Sequence, residues 1–82
     1  MGINYARLRN LTTREIVSAL VQDGFRLDRQ AGSHRHYLHL DGRRVTVSYH
    51  SPSDTFRFKT LKSMIETQAG WSEKDLERLK IL

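Results

Sequence analysis

Apolar residues recur along this chain in two rhythms. Ile16, Val17, Leu20 and Val21 fall at i, i+1, i+4 and i+5, one stripe along a helix. Thr12 and Glu15 stand just ahead of them, a hydroxyl and a carboxylate three apart, placed to satisfy free N–H groups as a capping box. Gly24 supplies the left-handed stop. The rhythm then becomes alternation. Phe25 and Leu27 alternate with Arg26 and Asp28, a short half-buried strand; Gln30-Ala31-Gly32 turns the chain into a second run, Ser33 to Leu40. Asp41-Gly42 is a strong hairpin signal, and Arg43 to Tyr49 follows as a third strand around Val45 and Val47. Residues 50–58 read as a loop with one proline. Leu61, Met64, Ile65 and Gln68 return to helical spacing until Gly70, with Trp71 as a hydrophobic lock onto a last short helix that opens at Ser72 and Asp75 and carries Leu76, Leu79 and Leu82. Residues 1–11 show no periodicity and read as an N-terminal arm, which leaves 12–82 as the folded domain. The order is α-β-β-β-α with a short extra C-terminal helix. It predicts a two-layer α+β sandwich, with helices on one sheet face and the other face open.

Composition narrows the choices. Eighty-two residues make one domain. The absence of cysteine excludes disulfides, thiolate metal sites and a cysteine nucleophile. No apolar run approaches the roughly 20 residues that span a bilayer, and Met1–Tyr5 lacks the character of a signal peptide. A cytoplasmic protein with no membrane partner is expected. The net charge is +5. The excess concentrates in residues 26–50, where Arg26, Arg29, Arg35, Arg43 and Arg44 outnumber Asp28 and Asp41; His34, His36, His39 and His50 fall in the same segment. Charge alone fits a polyanion partner and a solubilising surface equally well.

A motif adds to this. Gly32-Ser33-His34-Arg35-His36-Tyr37 is followed by Asp41-Gly42-Arg43-Arg44-Val45-Thr46-Val47 and then His50. Thr60 to Ile65 and Gln68-Ala69-Gly70 continue the pattern over most of residues 12–82. The sequence resembles the HicA family of toxins, small mRNA interferases of toxin–antitoxin pairs. It departs from the family pattern at Leu40 and Ser48, where prolines are common, at Lys59, where a glycine is common, and in a longer loop over 51–58. The resemblance implies a fold like the double-stranded-RNA-binding domain and ribosome-independent endoribonuclease activity that needs no metal or other cofactor. It implies one catalytic histidine, which maps onto His34, and a HicB-like antitoxin that covers the active surface.

The residues themselves suit this chemistry. Metal-free RNA cleavage needs a base for the 2′-hydroxyl, an acid for the leaving oxygen and cations for the phosphate. Histidine, with a reference pKa of about 6.5, serves as either acid or base, and arginine's planar fork suits phosphate oxygens. Which groups face the substrate depends on register. A two-residue turn at Asp41-Gly42 would turn His34 and His36 toward the core. A turn with Gly42 in a bulge would pair Tyr37 with Val45 and put His34, His36, Leu38, Arg44 and Thr46 on the open face. The bulged register is adopted because it exposes the family's catalytic position. The expected RNA contacts are then His36, Arg43 and Arg44, with Lys59 and Lys62 at the start of the second helix and Arg29 extending the track. His34 and His36 have a spacing that zinc can use, but no cysteine completes a shell, so no metal is expected. The rival readings are a non-catalytic RNA-binding module on the same fold and a small adaptor for an acidic protein.

Overall fold

A computed structural model describes residues 2–82. Helix α1 spans Thr13–Gln22, and strands β1 (Arg26–Ala31), β2 (His34–Leu38) and β3 (Arg44–Ser48) come next. Helix α2 (Phe58–Lys62) runs directly into a π-helical stretch, Ser63–Gln68, and helix α3 (Glu73–Arg78) comes last. The strands form one antiparallel sheet in the order β1-β2-β3. The result is the α+β arrangement expected, with the α-β-β-β-α order of the double-stranded-RNA-binding layout.

Helix α1 starts where the capping residues demand. Thr12 Oγ1 accepts the Glu15 N–H at 3.3 Å, and Glu15 Oε1 accepts the Thr12 N–H at 3.0 Å. The next free N–H groups, of Thr13 and Arg14, donate to the carbonyls of Asp54 and Pro52 at 2.8 and 3.1 Å. The loop after β3 is thereby fastened across the helix start. Ile16 and Leu20 of α1 share one core with Tyr37, Val45 and Val47 of the sheet and with Leu61, Met64 and Ile65. Trp71, Leu76 and Leu79 close the same core.

Three details differ from the sequence expectation. The expected N-terminal arm, as far as residues 2–11 are described, packs onto the domain. Leu8 and Leu11 are 1% and 7% exposed within the core, and a 3-10 turn at Tyr5–Arg7 sets the Tyr5 ring edge-on to Phe58 at 5.1 Å. The Tyr5 hydroxyl donates to Glu66. Two leucines three apart are too few to raise a periodic signal. Strand β1 is exposed along its length, with Leu27 49% exposed, because it forms the sheet edge beyond the cover of the helices. Phe25, just before the strand, is the residue that enters the core. The turn between β1 and β2 is Gly32-Ser33, so β1 runs through Gln30 and Ala31.

The β2–β3 hairpin takes the bulged register. Tyr37 lies opposite Val45, Arg35 opposite Val47 and His36 opposite Thr46. The His39 N–H donates to the Arg43 carbonyl and the Gly42 N–H to the His39 carbonyl, both at 2.9 Å. Gly42 sits at φ +97, the left-handed geometry that the bulge requires.

One buried carboxylate ties the hairpin to both ends of the helical layer. Asp23, at the C-terminal cap of α1, has a side chain 9% exposed. It accepts the Trp71 indole N–H at 2.9 Å and an Arg78 N–H at 2.9 Å, and lies 3.3 Å from Arg43 Nη2. Burial alone would raise its pKa. The bonds from Trp71 and Arg78, with the charges of Arg78 and Arg43, outweigh that and hold it below the usual carboxylate range. The Asp23 carbonyl accepts from His39 Nε2 at 2.8 Å, while His39 Nδ1 accepts the Asp41 N–H at 3.1 Å. His39 Nδ1 also lies 3.1 Å from the Asp41 carboxylate, so the ring is held from both sides of the turn.

Candidate nucleic-acid interface

The bulged hairpin turns β2 and β3 so that alternate residues leave the core. Val45 and Val47 are buried, whereas Arg44, Thr46 and Ser48 are exposed. On β2 the same parity buries Tyr37 and brings His34, His36 and Leu38 to the open face. Strand β1 adds a second irregularity. Its register shifts between Leu27 and Arg29, with Asp28 as the extra residue. That bulge places Arg26 opposite Leu38, Arg29 opposite His36 and Ala31 opposite His34. The open face is therefore a grid of three rows. Ala31, His34 and Ser48 form one row; Arg29, His36 and Thr46 form the next; Arg26, Leu38 and Arg44 form the last.

The electrostatics of this face stem from its members. Three arginines, Arg26, Arg29 and Arg44, frame two imidazoles. Asp28 at the bulge is the acidic residue among them, and its carboxylate stands 4.0 Å from Arg44 Nη1. That is a loose exposed contact, which leaves the face net positive. His34 is exposed. His36 is half-buried, and its Nδ1 lies 3.0 Å from Thr46 Oγ1 on the neighbouring strand. Thr46 is itself fixed: its backbone N–H points away from β2 and donates to Gln68 Oε1 at 2.8 Å. Gln68 Nε2 donates in turn to Ser63 Oγ at 3.1 Å, bracing the π-helical stretch.

The expected site residues divide. His34, His36 and Arg44 come together on the open face. Arg43 does not join them. One position before Arg44, it points to the helical layer, where Nε donates to Asp41 at 2.8 Å, Nη1 donates to the Ala69 carbonyl at 2.6 Å and Nη2 approaches Asp23. Its guanidinium also lies 4.9 Å from the Phe25 ring centre. Strand parity thus places Arg43 among bracing contacts of the helical layer rather than on the open face. Lys59 and Lys62 are exposed on α2 in the helical layer, with Lys62 Nζ 5.9 Å from the Phe58 ring centre. They do not belong to the open face. Arg35 also faces the helical side, its guanidinium 3.9 Å over the Tyr49 ring.

Arg26 is the member that sequence reasoning misses, and Arg29 enters that reasoning only as an extension of the track. Regular alternation would put Arg26 and Arg29 on opposite faces. The bulge at Asp28 brings them together, and nothing in the run Arg26–Ala31 announces it. Among the described residues, no three His, Cys, Asp or Glu side chains converge to hold a metal ion, and no helix is long and apolar enough to cross a membrane.

No curated protein matches the chain. The family model for the HicA toxin of bacterial toxin–antitoxin systems matches residues 13–71, from the first residue of α1 through the tryptophan that locks α3. The matched span contains the whole sheet and both histidines of the open face, and the chain belongs to the HicA toxin family.

Proposed function

We propose that this toxin is a metal-independent endoribonuclease that cleaves mRNA on the open sheet face and so inhibits translation and growth. The observation that carries the reading is the grid itself: two imidazoles side by side within a frame of arginines, on the sheet face opposite the helical layer. Cleavage of an RNA strand by its own 2′-hydroxyl needs groups that move protons near neutral pH and cations that hold the phosphate, and these are the groups present. His34, the more exposed imidazole, transfers a proton at the reacting phosphate. Arg44, with Arg29 and Arg26, positions the backbone, and His36 contacts the substrate beside it. Lys59 and Lys62 supply a flanking contact where the strand passes the rim of the face. The cognate partner is a HicB-like antitoxin that occupies the same face. Leu38, half-buried between two arginines, gives that partner an apolar anchor.

The test is RNA cleavage by purified protein in EDTA, wild type beside His34→Ala. Cleavage by the wild type alone supports the assignment. Cleavage by both moves the chemistry elsewhere. Salt-dependent binding without strand breaks would favour a non-catalytic RNA-binding module on this fold.

A further inference from the structure

The ribonuclease reading proposed above assigns one proton-transfer group, whereas in-line attack by a 2′-hydroxyl needs two. Resting on that reading, we infer that His36 is the second catalytic residue, the acid that protonates the leaving oxygen, with His34 as the base and Thr46 as a positioning residue.

Spacing brings the two rings to one substrate. His34 and His36 are two apart on one strand, so their Cα atoms lie about 6–7 Å apart and both rings rise from the same face. A phosphodiester laid across β2 thus meets an imidazole on either side. The surroundings then distinguish the two rings. Thr46 Oγ1 lies 3.0 Å from His36 Nδ1. A hydroxyl accepts an Nδ1–H both from the charged ring and from the neutral ring that has lost its Nε2 proton. The contact therefore holds the ring still through proton transfer and leaves Nε2 as the nitrogen that exchanges. Gln68 fixes the backbone of Thr46, so the support reaches into the π-helical stretch of the other layer. His34, opposite Ala31 and Ser48, has no bonded partner of this kind among the described residues and is free to approach the nucleophile.

The charged and titratable groups facing His36 are Arg26 and Arg29 on β1, Asp28 at the bulge, His34 on its own strand and Arg44 on β3. The helices pack on the opposite side of the sheet. The step balances. His34 takes the 2′-hydroxyl proton as the 2′ oxygen bonds to phosphorus. The His36 imidazolium gives its Nε2 proton to the 5′ oxygen as the P–O5′ bond breaks. The products are a 2′,3′-cyclic phosphate and a 5′-hydroxyl, and solvent exchange resets both rings.

The experiment compares two short RNA substrates across pH, one natural and one with sulfur in place of the bridging 5′ oxygen at the cleaved linkage. A thiolate leaves without needing a proton. His36→Gln is expected to slow natural cleavage by about 10²–10⁴-fold and to remove the fall in rate at high pH. The sulfur linkage is expected to restore most of that loss for His36→Gln and none of it for His34→Ala. Thr46→Val is expected to give a smaller loss with the same rescue, and Thr46→Ser to keep the wild-type pH profile. Matching circular dichroism and melting temperatures establish that the variants fold. If the wild type cuts but His36→Gln cuts the natural linkage equally well, or if folded His36→Gln is not rescued by sulfur, His36 is not the acid and the ribonuclease reading survives. If the wild type cuts neither substrate, both fall together.

Discussion

Replacing Asp23 with alanine is expected to cost about 1–4 kcal/mol of folding stability, although the residue lies outside the open face. The largest part comes from Trp71. This residue is 3% exposed and its indole N–H donates to Asp23. An orphaned buried donor costs about 1–3 kcal/mol. The pair with Arg43, 30% exposed and still held by Asp41 and the Ala69 carbonyl, adds up to about 1 kcal/mol. Arg78 is half exposed and keeps Asp75, so its share is minor. In a domain of this size, each kcal/mol moves the melting temperature by about 4–8 °C, so Asp23→Ala should melt about 4–30 °C lower at pH 7. The pH dependence gives an independent check. The folded pKa of Asp23 lies below its unfolded value of about 3.9. Its contribution is therefore present well above the unfolded value and is lost as pH falls through the folded value. The gap between thermal melts of wild type and Asp23→Asn should narrow as pH falls from 7 to 3. A drop of less than about 2 °C at pH 7 for Asp23→Ala, or a gap between wild type and Asp23→Asn that does not narrow with acid, would refute the claim that this carboxylate ties the layers together.

The same geometry sets other outcomes. Gly24→Ala puts a Cβ 2.9 Å from His39 Nε2 at a backbone φ of +100; it should cost about 2–4 kcal/mol in a urea titration. Gly42→Ala has similar φ but open space around it, and should cost about half as much. Leu8→Ala should cost about 2–5 kcal/mol, a loss that a free arm would not show. Neutralising Arg29 and Arg44 should flatten the salt dependence of RNA binding more than neutralising Lys59 and Lys62; equal slopes would move the backbone track to the rim.

The helices, the hairpin and most of the core are legible in the chain because each rests on local chemistry. The capping pairs Thr12–Glu15 and Ser72–Asp75 form as spaced, and Asp41-Gly42 makes the turn its residue types favour. The register of β2 on β3 is legible only as a choice between two, since a one-residue slip changes no local preference. Arg43 and Arg44 mark the limit. As neighbours they look interchangeable, yet parity sends one into a half-buried brace and the other onto the open face. The bulge at Asp28 and the π-helical turn at Ser63–Gln68 carry no strong local signal, because each is imposed by what packs or pairs against it.

The bond from Thr46 to Gln68 has a consequence for how the molecule meets others. A three-stranded sheet has two rims, and an uncovered rim invites a strand from another chain. At β3 the Gln68 carboxamide occupies the outward N–H in the middle of the strand. At β1 the bulge breaks the ladder, and Arg26, Asp28 and Arg29 crowd the edge with charge. Neither rim offers a long, flat, uncharged stretch of backbone. Strand addition is disfavoured on both sides, which leaves the flat face as the surface for which the proposed substrate and the proposed inhibitor would compete, one at a time.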